Sequence, residues 1–488
     1  MSQKKAIVVG AGIGGLATSI RLRAKGYEVE VFEASDKAGG KLNQMNEKGY
    51  RFDMGPSLFT LPQELDHVFE TAGKNPREYY DYEKLDLITK YFYEDGTQID
   101  AWAEPKRFAR ELEQKTGESA QKALKVLEKS SEIYDITSHV FLERSLHKLS
   151  TYLRKDTLIS ILNLHRIDSM RSMHKANAHQ FKDPRVVQLF DRYATYNGSN
   201  PYEAPATLRI IPHLEFNIGA FFPKKGIYTI PTSLFKLATD LGVKFHFGEK
   251  VDEILVEDKE VKGIRIGETK HEAEVVVSNM DVVPTYRNLL SSQPAPEKIL
   301  TQPRSSSALI FYWGIKESFP DLDLHNIFFS QDYQEEFRYI WEEKSIYDDP
   351  TIYVHISSKC EEEDAPKGKE NWFVMINVPA NQGQDWGSLI TTARQNVLNK
   401  LSRMLDKDIE SLIEFEDRLT PELIESRTSS YQGALYGNSS NNKFAAFLRH
   451  PNFHRKIKGL YFVGGSVHPG GGIPLCLLSA RIVGDLVE

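Results

Sequence analysis

The strongest constraint on what this chain can fold into lies in residues 5–33. Ala6-Ile7-Val8-Val9 reads as a short apolar strand, and Gly10-Ala11-Gly12-Ile13-Gly14-Gly15 follows as a G-x-G-x-x-G turn. Residues 16–25 then read as a helix stopped by Gly26, residues 28–32 as a second strand, and an acid, Glu33, closes that strand. This order defines a βαβ dinucleotide site. Gly10 permits the tight turn, Gly12 lets a pyrophosphate approach the backbone, and Gly15 lets the helix pack on the strand. The free N–H groups and positive dipole end of the helix face the phosphates, and the carboxylate of Glu33 is suited to a ribose hydroxyl pair.

Two further glycine clusters follow Glu33. They are Gly39-Gly40-Lys41 and Gly49-Tyr50-Arg51-Phe52-Asp53-Met54-Gly55-Pro56-Ser57. Extra glycine turns after the second strand suit flavin adenine dinucleotide (FAD) better than a nicotinamide cofactor. Lys41 can neutralise a phosphate as a point charge or serve as a solvated loop lysine.

A chain of 488 residues suits two or three domains. A net charge of −7 gives no electrostatic case for nucleic acid. No run of about 18 apolar residues is present, so no spanning helix is expected. The strand stands directly at the start, so no secretory signal is expected, and a cytoplasmic location is the simple reading. Two cysteines, Cys360 and Cys476, cannot build a disulfide framework or a Cys-based zinc site. Cys360 reads as a loop position and Cys476 as core packing. The acidic run Glu361-Glu362-Glu363-Asp364 reads as a solvated loop, and no metal is expected.

Residues 65–188 read as mostly helical, with clear helical spacing over 111–136. Residues 141–173 are rich in Leu and Ile and carry Arg144, His147, Lys148, Arg154, Lys155, His165, Arg166 and Arg171. Such a stretch either lies on an anionic membrane surface or forms core helices with a solvated basic face. Strand-like runs return at 244–248, 251–256, 261–266 and 274–278, read as a β-meander followed by a strand. Runs at 307–313, 351–356 and 372–378 fit an antiparallel sheet, and 391–405 fits a helix. The chain closes with a strand at 460–463, the turns Gly464-Gly465 and Pro469-Gly470-Gly471-Gly472, and a helix over 474–486 with Pro474 in its first position. Nucleotide-type segments therefore stand at the start, middle and end. The expected division is a discontinuous FAD-binding domain (1–70, 225–290, 455–488) and a substrate domain (71–224, 291–454), with 100–190 helical and membrane-facing.

The run Gly464-Gly465-Ser466-Val467-His468-Pro469-Gly470-Gly471-Gly472-Ile473 resembles the signature of the bacterial-type phytoene dehydrogenases, the FAD-dependent carotenoid desaturases. Val467 stands where Thr or Ala is usual, and Gly471 where a small side chain is usual. Phe52-Asp53-Met54-Gly55-Pro56-Ser57, Asn197-Gly198-Ser199-Asn200-Pro201, Phe222-Pro223-Lys224-Lys225-Gly226 (Lys225 replacing a glycine) and Ser278-Asn279-Met280-Asp281 are similar to further family blocks in the same order. Asp349-Pro350-Thr351-Ile352-Tyr353 and Asp364-Ala365-Pro366 also fit. Within the family, the C-terminal run is most similar to the hydroxycarotenoid 3,4-desaturases.

The resemblance implies an α/β fold with a glutathione-reductase-like, Rossmann-type FAD domain and an α+β substrate domain with a mixed or antiparallel sheet. It implies FAD held by Gly10, Gly12, Ile13, Gly14, Gly15, Glu33, Ala34, Gly40, Lys41, Gly55, Pro56, Ser57, Val251, Met280, Gly464, Gly465, Gly472 and Ile473. It implies peripheral membrane attachment, because the substrate is a long, apolar carotenoid. The substrate tunnel is expected among Phe216, Phe221, Phe222, Phe311, Trp313, Phe328 and Phe329. The catalytic candidates are Asp156, beside Lys155, and His213. Similar enzymes carry an Arg one turn after Asp156, where this chain has Ile159. His468 reads as a structural turn residue. The competing readings are a phytoene desaturase, a flavin amine oxidase, and a non-catalytic prenyl-binding carrier on the same fold. Oligomeric state is not readable.

Overall fold

The computed structural model describes residues 4–442 and 449–488. A five-stranded parallel sheet forms around the N-terminal strand. Its order is Leu460–Phe462, Val275–Ser278, β1 (Lys5–Val9), β2 (Glu28–Glu33) and Lys244–Phe247. The uninterrupted apolar run of β1 follows from burial on both faces. Ala6 and Val8 point into the core shared with the helices Ile13–Ala24 (α1), Thr229–Asp240 and Ile473–Leu486. Ile7 and Val9 point the other way, to Ile254, Ile264 and Tyr286.

The sequence reading places the stretch Lys244–Phe247 in the meander, and the structure removes it from there. It is the edge of the parallel sheet, and the meander is Glu253–Glu257, Glu260–Ile266 and Thr269–Glu272. Ile473, not Pro474, is the first residue of the last helix, so Pro474 takes the second position, where its missing N–H is equally harmless.

The second sheet has seven strands: Ile413–Leu419, Ser307–Ile315, Glu370–Val378, Ile352–His355, His325–Phe328, Leu87–Phe92 and Gln98–Trp102. All neighbours are antiparallel except His325–Phe328 with Leu87–Phe92, so the sheet is mixed. Two of its strands lie inside the stretch expected to be helical. The missed signal is a hairpin. Two apolar-rich runs flank Asp95-Gly96, where Gly96 has φ +80° and Asp95 accepts from the Thr97 amide. In Ser307–Ile315, Leu309, Phe311, Trp313 and Ile315 pack beneath the helix Trp386–Leu405, and Ala308, Ile310 and Tyr312 face the opposite side. This period-2 alternation decides which residues reach the site.

Among the described residues no helix is long and apolar enough to cross a membrane.

Candidate functional site

A cavity of about 1320 Å3 runs from the G-x-G-x-x-G turn, past the C-terminal glycine turn, to the segment 164–170. Its first arm is built as the sequence dictates. Gly10 has φ +97°, and a Cβ at Gly15 would lie 2.1 Å from the Gly10 carbonyl oxygen, so only glycine lets α1 sit on β1. Gly15 packs behind the cavity, while Gly10, Gly12, Ile13 and Gly14 line it. Glu33 accepts from the Ala11 amide at 2.7 Å and the Ser35 amide at 2.9 Å, which fixes its carboxylate beside the turn. Ala34, Gly40, Lys41, Val251 and Met280 join the same wall.

The second glycine loop is held by a buried charge cluster. Asp53 accepts from the amides of Ile227 and Tyr228, both at 2.9 Å, and pairs with Arg51. Arg51 also reaches Asp364 at 3.0 Å. The acidic run is therefore not wholly a solvated loop, because buried Asp364 anchors Arg51 and Ser357. Burial raises the Asp364 carboxyl, and Arg51 opposes that shift. The cluster positions Gly55, Pro56 and Ser57 on the cavity wall. Lys225, in place of a family glycine, takes φ +66°, so the backbone keeps the left-handed geometry with a lysine in it.

The third part is the C-terminal turn. Gly464, Gly465, Pro469, Gly471, Gly472 and Ile473 line the cavity. A Cβ at Gly472 would meet nothing within 4 Å, so this glycine opens onto free space. His468 lies behind the turn, with Nε2 2.7 Å from the Arg144 carbonyl oxygen. Burial lowers its pKa to about 3, which fits a structural role. Cys476 departs from its expected core role and lines the cavity. Burial pushes its thiol up to about 11.

FAD is the cofactor, and the residues present fit it. Both α1 and Ile473–Leu486 begin at the cavity with a glycine N-cap, no capping side chain and no acid in the first turn. Their N–H groups are thus open to an anion at two separate points. Lys41 is half-buried near Asp281 and donates to the carbonyl oxygens of Ala434 at 3.2 Å and Leu435 at 2.8 Å. Burial lowers its pKa, and Asp281 pulls the other way. It is a wall cation and not a solvated loop lysine.

Neither catalytic candidate reaches the cavity. Asp156 lies at the exposed start of the helix Lys155–Leu162 and pairs with Arg144 at 2.5 Å, and that pairing holds its carboxyl far below the usual range. His213 is turned away, with Nδ1 2.9 Å from Asn217 and its ring against Tyr134. Burial lowers its pKa. The expected tunnel aromatics are also absent from the wall. Phe311, Trp313 and Phe328 fill the core under Trp386–Leu405, and Phe216 and Phe329 fill the core of the helical part. Phe221 and Phe222 lie on the strand Phe221–Pro223, which pairs with Tyr82–Lys84. Strand alternation sends Ala308 and Ile310 to the cavity instead.

The walls that sequence reasoning missed are tyrosine-rich: Tyr196, Tyr333, Tyr353 and Tyr436, with Arg192 and Arg449. Arg192 is buried and donates to the hydroxyls of Tyr91 at 2.7 Å and Tyr196 at 3.2 Å. Its guanidinium stands 3.8 Å from Glu215, which accepts from Tyr193 at 2.9 Å. Arg192, Tyr193 and Tyr196 share the short helix Arg192–Asn197, and the other residues join them only through tertiary contact.

At the far end Leu164, Ile167 and Met170 line the cavity. Around them lies a bare apolar patch. Leu149, Leu153, Leu162 and Met170 are 75–76% exposed, and Leu158, Ile159 and Ile161 are also exposed. Three cations of the basic stretch are paired in place: Arg144 with Asp156, Arg166 with Glu132, and Arg171 with Asp168.

The family model of flavin containing amine oxidoreductases matches residues 13–487. The chain is 51% identical over 484 residues, 99% of both sequences, to the 1-hydroxycarotenoid 3,4-desaturase of Flavobacterium sp. (strain P99-3). It is 32% identical over 494 residues, 99% of this chain and 98% of the relative, to the 4,4'-diapolycopene oxygenase of Methylomonas sp.. Among solved structures, an oxidoreductase from Methanosarcina mazei superposes with a TM-score of 0.66 at 17% identity, covering 98% of this chain and 99% of that one. A redesigned putrescine oxidase superposes with a TM-score of 0.65 at 12% identity, covering 99% and 98%. Both show that the fold is shared.

Proposed function

The chain belongs to the flavin-containing amine oxidoreductase family, and from that premise we propose that it is an FAD-dependent carotenoid desaturase that inserts the 3,4 double bond at a 1-hydroxylated carotenoid end. The full-length similarity to a 1-hydroxycarotenoid 3,4-desaturase carries this reading. The site supports it, since the cavity wall beyond the glycine turns includes Ile310, Ile327, Met375, Leu419 and Leu208.

When bound, FAD supplies the acceptor for a hydride from one carbon of the reacting pair. The chain does the rest. The open N–H groups of α1 hold phosphate, and Glu33 stands where it can hold ribose hydroxyls. The helix start at Gly472 and Ile473 would offer positive dipole charge to a flavin that gains negative charge on reduction. The apolar wall holds the polyene rigid and excludes water. The positive charge left by hydride loss would spread over the adjoining polyene, so the proton of the neighbouring carbon is acidic enough to pass to a weak base such as a water molecule at the polar part of the cavity. This agrees with the placement of Asp156 and His213 away from the cavity.

On this reading, residues 1–70, 225–290 and 455–488 form the FAD-binding domain, and 71–224 and 291–454 form the substrate domain. The enzyme is cytoplasmic and attaches to a membrane surface through residues 149–170, because the exposed apolar patch surrounds the end of the cavity where an insoluble substrate must enter. The test is conversion of 1-hydroxylated and unhydroxylated acyclic-ended carotenoids in lipid, followed by the absorption shift of the lengthened polyene. Preferred conversion of the hydroxylated compound is expected. Faster turnover of phytoene indicates a phytoene desaturase. Amine-dependent peroxide release indicates an amine oxidase. A colourless protein that binds prenyl chains indicates a carrier.

A further inference from the structure

We propose that Ser57, Tyr353 and His325 form the element that reads the substrate hydroxyl, so that Ser57 and Tyr353 determine specificity. The inference rests on the 1-hydroxylated substrate proposed above and assigns residues to its recognition.

Distance limits where such an element can lie. The oxygen on carbon C1 is three bonds from carbon C3, a span of about 3–4 Å. A hydrogen bond adds about 2.8 Å. The reader must therefore stand within about 7 Å of a reacting carbon, on the part of the wall shared with the glycine loops.

Ser57 lies on that part of the wall. It directly follows Gly55-Pro56, and all three line the cavity. Its Oγ lies 2.8 Å from the Tyr353 hydroxyl, which lies 2.7 Å from His325 Nδ1. Tyr353 also lines the cavity, on the strand Ile352–His355. Burial raises the pKa of the Tyr353 hydroxyl, the Ser57 hydrogen bond and Arg192 oppose that shift, and Glu215 and Tyr436 add to it. Tyr436 in turn packs on the C-terminal turn, since a Cβ at Gly471 would lie 2.8 Å from the Tyr436 Cα. The chain of hydroxyls thus sits between the glycine turn and the seven-stranded sheet.

Several other polar groups nearby are engaged with one another. Tyr196 donates to Glu215, and Arg192 is spent on Tyr91 and Tyr196. Thr351 donates to Glu336 at 2.7 Å and bonds Ser330. Ser57 keeps spare capacity, because a hydroxyl has one donor and two acceptor positions and its Oγ has one partner among the described residues, Tyr353.

His325 sets the direction of the chain. Burial, then His355 and Arg192, hold its pKa well below the ordinary value, so the ring is neutral. With the proton on Nε2, Nδ1 accepts from Tyr353, Tyr353 accepts from Ser57, and Ser57 accepts from the substrate. With the proton on Nδ1, every bond reverses and Ser57 donates to the substrate. A substrate hydroxyl fits both states, and a hydrocarbon end fits neither, leaving one hydrogen-bonding position of Ser57 unfilled. His325 does not line the cavity and is a positioning residue.

The test uses the FAD-loaded enzyme in lipid and measures kcat/KM for a 1-hydroxylated carotenoid and its unhydroxylated counterpart. The preference ratio is expected to fall about tenfold to a hundredfold in Ser57→Ala and in Tyr353→Phe. His325→Leu should lower the same ratio and His325→Gln should restore much of it, because glutamine can still accept or donate. FAD content and Tm are measured on each variant. If Tyr353→Phe does not fold, Ser57→Ala alone decides. A wild-type ratio retained in Ser57→Ala overturns the proposal and leaves the proposed function standing. Loss of FAD with an unchanged ratio also overturns it and makes Ser57 a cofactor-retention residue. A wild-type enzyme with no preference sinks the hydroxyl-directed function itself, and this proposal with it.

Discussion

Two alanines, placed three residues apart in the first turn, should separate folding from cofactor binding. At Gly15 a Cβ would lie 2.1 Å from the Gly10 carbonyl oxygen and 3.3 Å from the Asn279 Cβ. Relief requires α1 to retreat from β1 by about 1 Å, and overpacking of this kind costs about 1–3 kcal/mol. At Gly12 the backbone has φ −72°, open to any residue, and the added Cβ meets only the Asn279 side-chain amide, at 2.7 Å. That side chain can turn away, so Gly12→Ala should leave the apoprotein near wild-type stability. It does place a methyl group at the start of α1, where phosphate must meet the backbone. Losing one charge-assisted hydrogen bond of about 1.5–3 kcal/mol weakens FAD affinity roughly 10- to 150-fold. The assay is a thermal melt of flavin-stripped protein followed by FAD titration, read by quenching of flavin fluorescence. For a cooperative unit of about 150–250 residues, Gly15→Ala should lower Tm by about 2–4 °C per kcal/mol. Wild-type FAD affinity in Gly12→Ala would refute the placement of the phosphates. An unchanged apoprotein Tm in Gly15→Ala would refute the packing argument.

Gly472→Asp puts a carboxylate into the open space beside the helix start at Ile473, and anaerobic reduction of the bound flavin by substrate should slow about tenfold for every 1.4 kcal/mol of lost stabilisation. An unchanged rate in a folded, FAD-loaded variant means the turn does not face the flavin. Because Arg144, Arg166 and Arg171 are already paired, liposome flotation should fall more in a Leu153→Ser, Leu162→Ser double variant than on charge reversal at Arg154 and Lys155, and high salt should weaken binding only partly. The opposite ranking would make the attachment electrostatic. Burial lowers the pKa values of His450 and His468 to about 3 and of His147 and His355 to about 4, from an ordinary 6.5. In that window the unfolded chain binds more protons, so stability is fully present above pH 6.5 and is lost as pH falls toward 3, by up to about 1.4 kcal/mol per pH unit for each proton. A Tm that stays flat between pH 7 and pH 4 would contradict this.

The βαβ cofactor turn was legible because its requirements are local. A positive φ at Gly10, a missing Cβ at Gly15 and an acid closing β2 depend on residues within one supersecondary unit. The C-terminal turn was legible for the same reason, since Gly472 and Ile473 carry their own backbone geometry and helix start. The hairpin at Asp95-Gly96 is equally local, but the helical spacing of the residues that follow it masks the turn. The substrate wall is different in kind. Phe311 and Ile310 are adjacent apolar residues on one strand, and their chemistry does not say which faces the cavity. The packing of Trp386–Leu405 on one side of the sheet decides it, and sends Phe311 to the core and Ile310 to the site. Ser57, His325 and Tyr353 come from separate segments, and only the pairing of His325–Phe328 with Ile352–His355, with the Arg51–Asp53–Asp364 cluster behind Ser57, brings their polar atoms together. Backbone conformation can be read from a sequence because each residue constrains its own neighbours. The side-chain wall of a cavity is decided by which elements cover which face, and that is a property of the whole packed chain.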